Sequence, residues 1–539
     1  MADFYPSYPP SLNPQQEEYL LSNAKDYSIA HGLAVRPPTS DALKAQDPAG
    51  LLATTAPITL FPSLFPKVCF DQAKSVAQAY NELYSGIASD EGWLTGIVEE
   101  LAQIDDFMAG LWKVHQAVKS EGYAQSLDLG LFRSDYMVHL DKSSGASQPS
   151  VKQVEFNTIA SSFGGLSTRV SELHQFLNSI DAYPEEISSI VNSSTLPANS
   201  SSPSLALGLA KAHEAYGPSS KQLPTCVIFL VQDPERNVFD QRHIEYNLNK
   251  THNIRTFRLP FDRVLQDTKL DDGRKLIYTP PSMPTRHFEV TVVYFRAGYA
   301  PSEYTSEAHW SGRLHLERSA AIKCPSVLTQ LAGTKKVQQV LATPHSPHLA
   351  RFLSDPSTAS SILSTFAPIY PLDSTSPAGK DARALATDPE TAARYVLKPQ
   401  REGGGNNIYR RNIPAFLDSL PESHWPAYIL MEMIEPPAQR NAILRFGATA
   451  EEGSPSSSVQ TGGVICELGI YGVCLWERPT TTTTAAASTN GGRVGDDAPP
   501  RPILRENFEA GYLLRTKGDQ SEEGGVAAGF GSVDSPCLV

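Results

Sequence analysis

Lysine, glutamate and three glycines fall close together in Lys398-Pro399-Gln400-Arg401-Glu402-Gly403-Gly404-Gly405-Asn406-Asn407-Ile408-Tyr409, directly after the apolar run Tyr395-Val396-Leu397. Glycines carry no Cβ, so such a loop can bring backbone N–H groups against phosphate oxygens. Lys398 adds a positive charge there and Glu402 an oxygen ligand for a hard cation. These are the parts of a lid over a nucleotide. Three glycines alone read as a flexible turn; the flanking Lys, Glu and Asn residues turn the reading toward chemistry. No GK[ST] follows them, which excludes a Walker A loop, and Gly333-Thr334-Lys335-Lys336 fails the same test.

A second cluster is Val154-Glu155-Phe156-Asn157-Thr158, whose alternation sends Glu155 and Asn157 to one face of a strand and Val154 and Phe156 to the other. Magnesium prefers oxygen donors shared with nucleotide phosphates, and Glu155, Asn157 and Glu402 together supply such a set. A sheet with one solvated face produces the same alternation. The third group comprises Arg133-Ser134-Asp135-Tyr136, Glu235-Arg236-Asn237-Val238-Phe239-Asp240-Gln241, Arg296-Ala297-Gly298-Tyr299 and Leu514-Arg515-Thr516-Lys517. Three of these follow apolar or strand-like segments, and loops at the carboxyl ends of strands line ligand crevices in α/β sheets. Each taken singly also reads as surface charge.

The elements that must position these residues change character along the chain. The first part is helical, with apolar residues at three- and four-residue intervals in segments such as 75–84. A strand at 151–156, a glycine turn at 161–165 and a helix from Val170 follow. The stretch 193–204, rich in Ser, Pro and Asn, reads as a surface linker, and a boundary is expected near Pro224. Beyond it, strands at 226–231 and 290–295 with a helix between them imply a small α/β unit. Further strands are expected at 395–398, 428–432 and 463–468, and low-complexity stretches at 452–463 and 479–502. The second of these is too poor in large apolar residues to order itself and is expected to be a disordered insertion between two strands.

A chain of 539 residues exceeds what one hydrophobic core usually serves, so two or three packed subdomains are expected. Its net charge of −13 argues against nucleic acid as a partner, because phosphate backbones are bound by clustered Lys and Arg. Six scattered cysteines form no CxxC pair, and no HExxH or Ser-His-Asp set is present, so neither a disulfide framework nor a zinc site is indicated. The terminal Cys537-Leu538-Val539 is one place short of a prenylation box. Met1-Ala2-Asp3-Phe4-Tyr5-Pro6 has no basic segment leading into an apolar run, and no stretch is apolar enough to span a bilayer. The cytoplasm is the expected compartment.

Several of these segments, in this order, resemble the motifs of eukaryotic glutathione synthetases. They are Val154-Glu155-Phe156-Asn157-Thr158-Ile159, Glu235-Arg236-Asn237-Val238-Phe239-Asp240-Gln241, Phe295-Arg296-Ala297-Gly298-Tyr299 and Leu331-Ala332-Gly333-Thr334-Lys335-Lys336-Val337-Gln338-Gln339. The Lys398 to Asn407 run, Leu513-Leu514-Arg515-Thr516-Lys517 and Gly524-Gly525-Val526-Ala527-Ala528-Gly529 complete the set. The resemblance spans roughly 133–539 outside the insertions. It implies an α/β protein with a circularly permuted ATP-grasp fold and a glycine-rich lid, a homodimer, Mg2+ and ATP, and the joining of γ-glutamylcysteine to glycine. The divisions it suggests are 1–223, a helical and ATP-grasp part; 224–330, a substrate-binding α/β domain; and 331–539, an ATP-grasp part with a lid at about 368–445.

By position, the resemblance makes Glu155, Asn157 and Glu402 magnesium ligands. It makes Glu155, Lys335, Lys398, Glu402, Gly403, Gly404, Gly405, Asn407, Tyr409, Met431, Glu432, Met433, Ile434, Glu467, Lys517 and Glu523 the ATP site. The substrate side comprises Arg133, Ile159, Ala160, Ser161, Ser162, Glu235, Arg236, Asn237, Gln241, Arg296, Ala297, Gly298, Tyr299, Arg515, Val526 and Ala527, with Arg515 the catalytic charge. Ala160 stands where relatives often carry serine, and Met433 where a lysine would be expected. Two alternatives stay open at this point: a ligase of the same class using β-alanine or another amine, and a catalytically silent nucleotide-binding protein on the same fold.

Overall fold

Side chains of a strand alternate between its two faces, and the longest strands use one of those faces for two purposes. The strand Leu127–His139 pairs antiparallel with Val459–Glu477, which pairs antiparallel with Ile503–Gly518. On one face Leu129, Leu131, Tyr471, Val473 and Leu513 pack against the helices Gly164–Ser179, Ser201–Tyr216 and Val238–His252. Further along the same face the residues become Arg133, Asp135, Glu467 and Arg515. The opposite face carries Phe132, Tyr136, Leu468, Ile470 and Leu514 into a core with the helices Lys67–Ser75, Ala77–Ser89, Glu91–Ala102 and Asp106–Glu121. Oil on both sides fixes these strands, and the charged stretch emerges from under the helices already oriented.

The computed structural model describes residues 5, 7–38, 40–140, 148–400, 406–445, 459–479, 501–520 and 531–539. Among them a mixed sheet of 13 strands runs through the molecule. The strand Ser150–Asn157 pairs antiparallel with Leu127–His139, setting Asn157 opposite Arg133 and Glu155 opposite Asp135. The register skips Val154, a bulge that breaks strict alternation. Parallel strands Thr225–Val231, Thr256–Pro260, Phe288–Phe295 and Ile322–Cys324 continue the same sheet. A separate antiparallel sheet of four strands, Ile369–Tyr370, Tyr428–Glu432, Tyr395–Pro399 and Ile408–Tyr409, has its own core of Leu397, Leu417, Trp425 and Leu430.

The expected strands at 151–156, 226–231, 290–295, 395–398, 428–432 and 463–468 are all present. Two readings need correction. The stretch 193–204 is not a linker throughout, because Ser201–Tyr216 is a helix and Ser201 and Ser202 are buried. Its start is stabilised by Asn199, whose side-chain oxygen accepts from the Ser201 N–H at 3.1 Å, and by the Ser201 hydroxyl donating to the Tyr512 carbonyl at 3.0 Å. The helix expected from Val170 begins at Gly164, since the buried Asp240 carboxylate accepts from the Gly165 N–H at 2.7 Å and satisfies its first turn. Most of the 479–502 insertion lies outside the described residues. All six cysteines are buried and unbridged. Among the described residues no helix is long and apolar enough to cross a membrane.

Candidate active site

A cavity of about 790 Å³ lies between the large sheet and the four-stranded sheet. The charged face described above supplies Arg133, Glu155, Asn157, Glu467, Arg515 and Lys517. The small sheet supplies Lys398, Asn407, Tyr409, Met431 and Glu432, with Met433 and Ile434 just beyond its strand. Loops after the strands complete the wall with Ile159, Ala160, Ser161, Ser162, Glu235, Arg236, Asn237, Arg296 and Tyr299.

At the lysine end, Lys335 Nζ meets Glu155 Oε2 at 2.6 Å, and Lys398 Nζ donates to the carbonyl of the bulged Val154 at 3.0 Å. Burial and the Lys335 charge push the Lys398 ammonium down to about 8, against the pull of Glu155. Burial alone would raise the Glu155 carboxyl, but Lys335 and Lys398 outweigh it and hold that group well below the ordinary range. Two cations around one carboxylate leave a positive excess suited to phosphate. Asn407 donates to the Tyr409 hydroxyl at 3.2 Å, and the Tyr370 hydroxyl donates to Glu432 at 3.0 Å. The Met433 N–H donates to the Arg394 carbonyl at 2.9 Å, so this group is spent inside the protein.

At the arginine end the charges are locked in pairs. Arg133 donates to both oxygens of Asp135, at 2.6 and 2.8 Å. Arg515 donates to Asp135 at 3.0 Å and also to Glu467. Burial, with Asp135 and Glu155 nearby, raises the Glu467 carboxyl against the opposing pull of Arg515. Gly469 makes this packing possible: a Cβ there would lie 2.7 Å from both Arg133 Cδ and Asp135 Oδ1. Arg296 donates to the Ser161 carbonyl at 3.0 Å and the Ser162 hydroxyl at 2.7 Å, with Asp240 at 3.5 Å behind it. The loop it holds carries two left-handed residues, Ala160 (φ 52°) and Phe163 (φ 74°), a conformation that costs a side-chain-bearing residue energy. Glu235 accepts from the Asn237 N–H at 2.8 Å and from Gln241 at 2.6 Å, which aims a carboxylate at the cavity.

Gln241 is buried behind Glu235 and does not line the cavity. Ala297 is buried in the core behind the site, and Gly298 (φ 82°) turns the chain outside the cavity wall. Lys335 reaches the site through Glu155 and lines a small adjoining hollow. Glu402, Gly403, Gly404, Gly405, Glu523, Val526 and Ala527 lie outside the described residues. Sequence reasoning did not single out Asp135 or Asp240, although both stood within quoted motifs. The two-residue step from Arg133 already placed Asp135 on the same strand face, and that signal could have found it. Gln232, Arg410, Asp519 and Gln520 also line the cavity, with no sequence signal to mark them.

Carboxylate and amide oxygens, the buried Lys398 and the guanidinium groups of Arg133, Arg296 and Arg515 therefore line one cavity. The family described as eukaryotic glutathione synthase, ATP binding domain, matches residues 14–538. The glutathione synthetase large chain of Schizosaccharomyces pombe is 37% identical, covering 97% of this chain and 98% of its own length. The glutathione synthetase of Homo sapiens is 38% identical, covering 97% of each chain. A solved glutathione synthetase-like effector from Globodera pallida, in its apo form, shares the fold with a TM-score of 0.69 over 98% of each chain, at 22% identity. The chain belongs to the eukaryotic glutathione synthase family and is an ATP-dependent ligase of glutathione biosynthesis.

Proposed function

We propose that this cavity joins the cysteinyl carboxylate of γ-glutamylcysteine to the amine of glycine through an acyl phosphate. The observation that carries the reading is that Glu155 and Lys398 of the lysine end and Arg133, Arg296 and Arg515 of the arginine end line one cavity. A carboxylate is a poor acyl donor, so one of its oxygens first takes the γ-phosphoryl group and ADP departs. The glycine nitrogen then attacks the acyl carbon, the C–O bond to phosphate breaks, and the nitrogen loses a proton. The products are tripeptide, ADP and phosphate.

Lys335 and Lys398 face the transferring phosphoryl group, and Arg515 faces the charge that builds on the acyl oxygens. Arg133 and Arg296 hold the peptide's carboxylates, and the Glu235 carboxylate holds its amino group. Glu155 and Asn157 fit a magnesium ion. Asn157 spends its amide N–H groups on the Arg133 carbonyl at 3.2 Å and Asp135 at 3.0 Å, which leaves its oxygen as a donor toward the cavity. With Glu402, which lies outside the described residues, they would hold the ion, which when bound neutralises phosphate charge. Among the described residues no three His, Cys, Asp or Glu side chains gather into a metal site.

The frame is read as a circularly permuted ATP-grasp fold. The segment at about 368–445 closes as a lid that keeps water from the acyl phosphate, and 224–330 acts as the substrate-binding unit. By resemblance the enzyme works as a cytoplasmic homodimer. Purified protein given ATP, Mg2+, γ-glutamylcysteine and glycine should release phosphate and form glutathione in equal amounts. Phosphate release that is faster with β-alanine than with glycine would overturn the choice of amine. ATP binding without any phosphate release would overturn the ligase mechanism.

A further inference from the structure

We propose that Asp135 is a positioning residue of the ligase site: one buried carboxylate fixes Arg133, Asn157 and Arg515 relative to one another. The proposal rests on the roles given above to those three residues. Asp135 is 0% exposed, so it touches no substrate and acts only through its neighbours. Its Oδ1 accepts from Arg133 Nε at 2.6 Å. Its Oδ2 accepts from Arg133 Nη2 at 2.8 Å, Asn157 Nδ2 at 3.0 Å and Arg515 Nη2 at 3.0 Å. Four N–H groups thus converge on one ionised carboxylate, three of them on Oδ2.

Strand pairing already fixes the backbones, with Asn157 opposite Arg133 and Arg515 opposite Glu467. Pairing does not fix where long guanidinium groups end. Asp135 converts backbone register into side-chain register, because both guanidinium groups are tethered to the same carboxylate, Arg133 through both oxygens and Arg515 through Oδ2. Without it, Arg515 is left to Glu467, and Arg133 keeps its bond to the Ser162 carbonyl at 3.0 Å and its place over the Tyr471 ring. Every hydrogen-bond partner of the carboxylate is a donor. An Asp135→Asn amide would therefore turn an NH2 group toward N–H groups in a buried space, and a substitution nearly identical in shape would disorganise the set.

The test compares D135N with the wild-type full chain. D135N is expected to fold and to bind ATP without peptide within about threefold of wild type. Its kcat should fall roughly a hundredfold and its KM for γ-glutamylcysteine should rise roughly tenfold, the scale of misplaced reacting groups. The thermal shift given by γ-glutamylcysteine should vanish while that given by ATP persists. Adding Arg515→Lys to D135N should lower kcat little further, because Arg515 is already misplaced. A lower melting temperature with normal kcat and KM would make Asp135 merely structural, and full multiplication of the two kcat losses would remove the coupling. The single variants R133K and R515K calibrate the roles: if neither changes kcat or KM, the assignment of those arginines fails and not the link through Asp135. Should D135N not fold, R133K carries the test. A lysine cannot occupy both Asp135 oxygens, so kcat should fall along with the rise in KM; a raised KM with unchanged kcat would then overturn the proposal.

Discussion

The two ends of the cavity handle buried charge in different ways. At the lysine end, two ammonium groups lie around Glu155, and Lys398 leans on a backbone carbonyl while burial pushes its ammonium down to about 8. At the arginine end each guanidinium faces a carboxylate: Arg133 and Arg515 share the buried Asp135, Arg515 also reaches Glu467, and Arg296 faces the buried Asp240. A lysine is a mobile point charge, whereas an arginine is a planar fork that can be aimed. In the proposed mechanism the lysine end receives phosphate charge and the arginine end holds a carboxylate in one orientation.

The sharpest way to break this contrast is Arg515→Lys. The charge stays, but the fork that reaches Asp135 and Glu467 together is lost. The rate of glutathione formation should fall roughly 10²- to 10³-fold, the cost of losing one donor aimed at developing negative charge. Single-turnover measurements with saturating ATP and peptide check it, and a loss under tenfold would show that charge alone suffices there. Lys398→Met tests the opposite end. ATP affinity should fall roughly a hundredfold, as for a charge-assisted hydrogen bond, with γ-glutamylcysteine binding unchanged. Calorimetry with each ligand separately reads this out; parallel losses for both ligands would mean that the two ends are not independent.

Part of this division was legible in the sequence and part was not. The two-residue period put Glu155 and Asn157 on one face before any coordinates, and the strands that carry Lys398 and Met431 lie where the apolar runs ended. The pairing of Lys335 with Glu155 was not legible, because it joins positions 180 residues apart through the packing of a helix on a strand. The need for glycine at 469 was equally hidden, since the side chains it would strike belong to the neighbouring strand. Glu467 and the Met431 to Ile434 run came from family resemblance alone, as nothing in their local pattern marks a ligand site. The serines at 201–202 misled because composition says polar surface, while their hydroxyls and backbone find partners inside.

A buried group with no acidic partner shows what the arginine pairs avoid. His174 is buried, its Nδ1 lies 2.7 Å from the Tyr183 hydroxyl, and burial pushes its imidazole down to about 3. The folded value is below the unfolded one, so the unfolded chain binds the proton more tightly. Stability from this residue is therefore complete above about pH 6.5 and is lost as pH falls through 6.5 toward 3. Between pH 6 and 4.5 the loss should be about 2 kcal/mol. Urea denaturation of the wild type and His174→Gln at both pH values isolates it; the same pH slope in both proteins would show that another group is responsible.

The smallest effect is expected from Arg296→Lys, and it probes the arginine end most directly. Arg296 donates to the Ser161 carbonyl, the Ser162 hydroxyl and the Tyr294 hydroxyl, with the Asp240 carboxylate 3.5 Å away, and so pins the strained loop from Ile159 to Phe163. A lysine keeps the charge and can reach one or two of these acceptors but cannot span all three in a plane. Asp240 itself stays satisfied, because it also accepts from the Phe163 N–H at 2.8 Å and the Gly165 N–H at 2.7 Å. The fold should hold, the KM for γ-glutamylcysteine should rise about tenfold, and ATP affinity should not move. If KM stays within twofold of wild type, charge without geometry is enough at this position, and the contrast between the two ends would then depend on Arg133 and Arg515 alone.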